Sequence, residues 1–345
     1  TINSLLEKNL NKLKLVNFIN LAKSNKIVLT FVALTFIFVS YLLIPTFYKQ
    51  SEITKELKNE LSNTLNLNFI FSRKLNYNFF PRPHFVSNDA TILLDNKKVS
   101  EIKKILIYVS LENFFSLKNI EINEVVIKDA NFELNKENSN FFFQLLENNF
   151  INNSLKIQNS NVFFRNIENE VLFINKIINL KYFYEPNELK NMAYSENEIF
   201  NIPYSISSHK DIDEKKIYSK LNLELLKLKI DNEYNYQGKI KNGTTYINNR
   251  NLKSIIDYEI NQNTFEFKLY DKVQNPRFSY LGKINKKPFF SSFEGNTYEI
   301  NLFHLFKNNA FIPQLLKTEI FNNKNINFKL NITANKILNF SSFIN

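Results

Sequence analysis

The chain has 345 residues, 44% of them hydrophobic, with 35 Phe and 16 Tyr, an aromatic load that excludes a disordered chain and can fill one large or two ordinary domains. Cysteine is absent and only four glycines occur, which excludes disulfides and thiolate metal sites and leaves little from which to build a glycine-rich phosphate loop. The net charge is +11, but only five of the 44 basic residues are Arg, and the Lys are scattered among Glu and Asp, so the charge does not indicate a nucleic-acid surface.

Residues 1–26 place Leu5, Leu6, Leu10, Leu13, Val16 and Ile19 at helical spacing among five Lys, which predicts a basic amphipathic segment. Residues 27–48 follow without a single charge. As a helix they span about 33 Å, the thickness of a bilayer core. The run is longer than the apolar part of a signal peptide and lacks a small-residue cleavage site, so an uncleaved transmembrane anchor is predicted. Lys8, Lys12, Lys14, Lys23 and Lys26 precede it. Their excess predicts a cytoplasmic N-terminus and a body on the far side of the membrane. Residues 49–64 form a short juxtamembrane helix, with Ile53, Leu57 and Leu61 on one stripe.

From Leu65 the apolar period changes to two, which predicts strands separated by polar turns. Pro81 and Pro83 interrupt the pattern, because proline cannot sit inside a central strand. Ile120 and Ile122 alternate, and Val125 and Ile127 continue out of phase, which predicts a bulge between them. Residues 141–150 suit a short helix, and residues 65–185 together make a first β region. Residues 186–215 are rich in Pro, Asn, Ser and charge and read as a loop-rich connection, within which Phe200–Ile206 has strand character. Residues 216–345 make a second β region, with helical spacing over 301–321. Ile326, Phe328, Leu330 and Ile332 show its cleanest alternation. The fold class is therefore mostly β: an N-terminal transmembrane helix, then an extended antiparallel sheet with a few short helices.

His84, His209 and His304 stand far apart, and neither HExxH nor a nucleophile motif is present. No catalytic, cofactor or metal residue is assigned, and no covalent chemistry is expected. What remains is the alternation of an apolar face with an Asn/Lys/Ser face. Two arrangements satisfy it: a closed β-sandwich or barrel core, which would suit a scaffold or interaction protein, or an open curved sheet whose apolar face lines a groove for acyl chains. Groove candidates are Phe69, Ile122, Ile127, Phe132, Ile157, Leu223, Phe267 and Phe328.

The order of features resembles the N-terminal part of the AsmA family of bacterial envelope proteins. The basic N-terminus, the apolar run 27–48 and the following helix match its opening. Pro81-Arg82-Pro83-His84-Phe85 resembles the family's proline-containing step. Residues 120–127 resemble its next hairpin, and residues 155–164 a later strand, with Ser160 where glycine is common. The resemblance is best over residues 25–185. It implies a Gram-negative inner-membrane anchor, a periplasmic body of β-taco or repeating-β-groove form, and a role in phospholipid transport or outer-membrane assembly. It also implies membrane phospholipid and other envelope proteins as partners, no nucleic acid, and a native chain that continues past residue 345.

Overall fold

The computed structural model describes residues 26–338 apart from 95, 113, 117–119, 149, 250–251, 272–277, 303–305, 307–310 and 319–322. The amphipathic segment expected at 1–26 lies outside the described residues but for Lys26. Helix α1 (Lys26–Leu43) continues as a 3-10 turn through Ile44–Phe47, where Pro45 supplies the tighter start. This stretch has a mean hydropathy of 2.7 and is almost wholly exposed, so it is long and apolar enough to cross a membrane and is no core helix. Its last turn is fixed to the body. Tyr41 Oη donates to Leu111 O at 2.6 Å, and Tyr77 Oη donates to Leu42 O at 2.8 Å. Helix α2 (Gln50–Leu65) buries Ile53, Leu57, Leu61 and Leu65, the expected stripe extended by one turn.

The rest is one open, mostly antiparallel sheet of 17 strands, so the closed sandwich is not formed. Strands β1 (Asn68–Phe71) and β2 (Asn76–Asn78) both pair with β3 (His84–Leu94), which pairs with β4 (Lys97–Val109) and then β5 (Ile122–Leu134). The bulge is found where the phase slips: Tyr108 faces Glu124 and Val109 faces Ile122, leaving Asn123 without a partner. A crossover carrying helix α3 (Phe141–Gln144) and a 3-10 turn (Leu145–Glu147) leads to β6 (Ser154–Arg165), parallel to β5. A meander follows through β7 (Val171–Glu185), β8 (Lys190–Ile199), β9 (Ile202–Asp211), β10 (Lys216–Leu223) and β11 (Leu228–Asn235). It continues through β12 (Lys241–Asn249), β13 (Leu252–Ile260), β14 (Thr264–Asp271), β15 (Phe278–Lys286) and β16 (Phe289–Asn301). A second crossover, holding helix α4 (Phe311–Leu316), places β17 (Phe328–Leu338) parallel to β16.

The loop-rich reading of 186–215 is corrected, because β8 and β9 are full members of the sheet. Phe200 (φ 50°) and Asn201 (φ 63°) make the two-residue turn between them, the left-handed pair that a tight hairpin needs. The polar composition there reflects a solvated outer face: Tyr194, Glu196 and Glu198 alternate with the buried Ser195 and Asn197. The two β regions are likewise parts of one continuous sheet.

The sheet is creased and coiled. Asp89, Asp129 and Asn159 have φ of 60°, 52° and 48°, and register places them on one transverse line that ends in the β7–β8 bulge at Ile177/Asn179. Asp and Asn tolerate this left-handed conformation better than other side chains bearing a Cβ. Across the line the buried positions are three residues apart instead of two: Ser87 and Ala90, Ile105 and Ile102, Ile127 and Ala130, Ile157 and Ser160, Leu180 and Ile177. Ser160 Oγ accepts from Ala130 N–H at 3.0 Å and donates to Gln158 O at 2.8 Å, filling the gap in the ladder. Twist of about 20–25° per strand accumulates to roughly half a turn between β5 and β14. Accordingly, Lys136 Nζ after β5 reaches Asn263 Oδ1 before β14 at 3.2 Å, and Asn323 Nδ2 before β17 reaches Leu172 O in β7 at 3.0 Å.

Candidate functional site

Cross-strand partners define one inner face from end to end of the sheet. From Tyr182 on β7 one row runs through Ala193, Ser208, Ser219, Asn232, Thr245, Ile256, Leu269, Tyr280 and Gly295 to Ile332 on β17. The first part of this face is filled. Helix α2 and the α3 crossover cover it, and Phe132 packs edge-on against Phe142. Tyr182 Oη donates to Phe142 O at 2.6 Å and ties the crossover down. Complete burial pushes that phenol far above its ordinary value, so it stays a donor.

Beyond the crossover the face opens. A cavity of about 480 Å³ lies between Phe142, Phe143 and Leu146 on one side and the inner face of β6–β12 on the other. Its volume is within the range of roughly 300–1,000 Å³ usual for ligand pockets. The apolar wall is completed by residues such as Ile206, Leu221 and Ile230. Among the described residues no Asp, Glu, Lys, Arg or His lines it, although 22% of the chain is charged. In place of charge there is a stripe of neutral polar side chains. Asn197 Nδ2 donates to Ser195 Oγ at 2.7 Å, and Ser208 Oγ donates to Ser219 Oγ at 2.8 Å. Tyr204 Oη donates to Asn175 Oδ1 at 2.6 Å, and burial pushes its pKa up to about 12. Thr245 Oγ1 and Tyr258 Oη both donate to Asn232 Oδ1, at 2.8 and 2.9 Å.

Past the cavity the inner face becomes an aromatic track. Phe267 lies 5.6 Å from Phe265 and 5.7 Å from Phe293, centroid to centroid. The ring of Phe267 lies flat over Gly282, where a Cβ would come within 2.0 Å of it, and Tyr280 covers Gly295 in the same way. These glycines make room for rings on this more open part of the face. A larger hollow of about 790 Å³ lies against the outer face of β12–β16. Its walls carry Asp257, Glu259, Glu266, Lys268, Lys283 and Glu294, with Lys283 paired to Glu266 at 2.8 Å. Such a trough is solvated by its own charges and offers nothing to an apolar ligand.

All eight groove candidates lie on the inner face, but none lines the cavity. Phe69, Ile122, Ile127, Phe132 and Ile157 are core residues, at most 4% exposed. Ile127 and Ile157 are register partners beneath the helices. Leu223 and Phe267 are half-buried on the open part of the face, and Phe328 is 45% exposed on β17. The sequence reading missed the neutral polar stripe, because Ser, Asn and Thr at inward positions look like outward ones. The available signal was charge: in β8, Glu196 and Glu198 flank Asn197, which places the uncharged residues on the other face. Among the described residues no group of three or more metal-binding side chains comes together. His209 stacks on Tyr218 at 5.2 Å on the outer face. Comparison with protein-family models and with curated proteins finds no match to this chain.

Proposed function

We propose that the chain is a membrane-anchored, AsmA-like, non-enzymatic protein that holds lipid acyl chains on the inner face of its sheet. In this reading the body lies on the periplasmic side of an inner membrane and supports phospholipid transport or outer-membrane assembly. The observation that carries the proposal is the uncharged cavity, which continues into a more open aromatic track. Each methylene buried there is worth about 0.8 kcal/mol, so a long chain is held without any charged contact. Among the described residues the lining's Ser, Thr and Tyr hydroxyls have no carboxylate, imidazole or amine beside them to activate one, which suits carriage better than chemistry.

Support also comes from the foot of α1. Phe47 and Phe115 are 84% and 78% exposed there, and Phe115 packs beside Tyr41. Aromatic residues at that level belong to the boundary between bilayer and water, so the body rests on the membrane surface. The test is native mass spectrometry of the full chain extracted in mild detergent, with displacement of a fluorescent acyl probe. Phospholipid should accompany the protein, and Ile230→Glu in the cavity wall should release it. Absence of bound lipid together with failure to bind the probe would sink the proposal.

A further inference from the structure

Resting on that lipid reading, we propose that Asn175 and Asn232 make the cavity selective for acyl chains bearing a carbonyl, so that the ligand is an ester- or amide-linked lipid. The argument starts from what each amide has left to offer. An Asn side chain has one acceptor oxygen and two N–H donors. Tyr204 occupies the Asn175 oxygen, and Thr245 and Tyr258 occupy that of Asn232. With the oxygens so engaged, each amide keeps its two N–H donors for other partners. The Nδ2 donors of both residues have no acceptor among the described residues, and both side chains line the cavity. Asn175 is only 8% exposed, and its amide nitrogen is not one of the sealed, unpartnered atoms of the core, so it is reached from the cavity it lines.

The remaining polar pairs behave differently. Asn197 spends an amide hydrogen on Ser195, and Ser208 spends its hydroxyl on Ser219. Asn175 and Asn232 are therefore the two lining amides whose nitrogens make no bond among the described residues, at separate points in an apolar, uncharged wall. A buried donor left without an acceptor costs about 1–3 kcal/mol, so a ligand that displaces water from this wall must supply one. A bare hydrocarbon or an ether-linked chain supplies little. A phosphate would find no cation in the lining, which keeps a charged headgroup outside. The carbonyl of an acyl linkage is a strong, uncharged acceptor attached to the hydrocarbon the rest of the cavity suits.

The test is competition on the full chain in detergent. A fluorescent acyl probe is displaced with dioleoyl phosphatidylethanolamine or with its dialkyl ether analogue of equal chain length and headgroup. The ester lipid should compete at roughly 5- to 10-fold lower concentration, the ratio expected of one net hydrogen bond. In the Asn175→Leu, Asn232→Leu double variant the ratio should fall to one while the ether lipid binds as before, which also reports an intact cavity. Equal competition by the two lipids in the unaltered chain overturns the inference and leaves the lipid reading standing. Persistence of the preference in the double variant overturns it too. If neither lipid competes, both proposals fall together.

Discussion

The two halves of the sheet share one strand pattern and differ in what covers it. Over β3–β7 the inner face meets α2 and the α3 crossover, and Leu61, Phe132 and Ile127 are fully buried. Over β12–β17 the same row of positions is less completely covered. Phe267 is half-buried, and Leu330 is 56% exposed. The composition follows the cover. The filled half uses Ile, Val and Phe, which pack to interior density; the open half keeps Phe, Leu and Ile but interrupts them with Tyr, Ser, Thr and Gly, which tolerate contact with water or a replaceable ligand. An alternating strand therefore specifies that a face exists, and only the third layer determines whether that face becomes core or groove.

The largest expected break in this comparison is Leu61→Ala. Leu61 stands at the centre of the α2 stripe, and removing its side chain leaves a cavity costing about 2–5 kcal/mol. Hydrogen exchange should show protection lost in β3–β6 and largely kept in β12–β15. Equal loss in both halves would mean that they unfold as one unit. Next comes Ser160→Ala at the crease, costing about 1–3 kcal/mol because the buried Ala130 N–H loses its acceptor. The same substitution at Ser292, whose hydroxyl lies on the exposed outer face, should cost well under about 0.5 kcal/mol.

The legible part of the molecule was the part set by local chemistry. The uncharged run 27–48, the stripe of Ile53, Leu57 and Leu61, the breaks at Pro81 and Pro83 and the slip between Ile122 and Val125 all appear where the residues place them. The crease was harder to read. Asp89, Asp129 and Asn159 are ordinary polar residues until register aligns them across three strands. The cavity was harder still, since it depends on the α3 crossover stopping short of β12. Residues such as Phe132 and Ile157 have the same character as a groove residue but are covered by a helix that periodicity cannot place.

A smaller effect should follow from acid. Glu124 on the outer face of β5 is held by Arg82 at 2.7 Å and by Lys156. Burial alone would push its carboxyl up, but the two cations outweigh burial and keep it below the ordinary 4.5. The ionised form thus stabilises the fold above that ordinary value, and the contribution disappears as pH falls through the lowered one. Glu124→Gln should reduce stability near neutrality and flatten the acid limb of the stability curve of the filled half. An unchanged acid limb would show that the ion pairs are already solvated.

The smallest effect is the most informative about the open half. Leu330 lies between Phe328 and Ile332 in the cleanest alternation of the chain, and its parallel partner on β16 is Phe293. As the structure stands, Leu330→Ala removes a side chain already more than half in water, with little packing to lose. The expected change is under about 0.5 kcal/mol, close to that of a surface site. Leu61 reaches the covered end of this face from helix α2 and Leu330 stands on its open end, so the two leucine truncations contrast filled core with open face. Adding a bound acyl lipid should leave the Leu61→Ala penalty unchanged and raise that of Leu330→Ala if the chain runs along the track as far as β17. A large penalty at Leu330 without lipid would instead mean that another protein surface covers this strand in solution, and the open face would then be an interface rather than a groove.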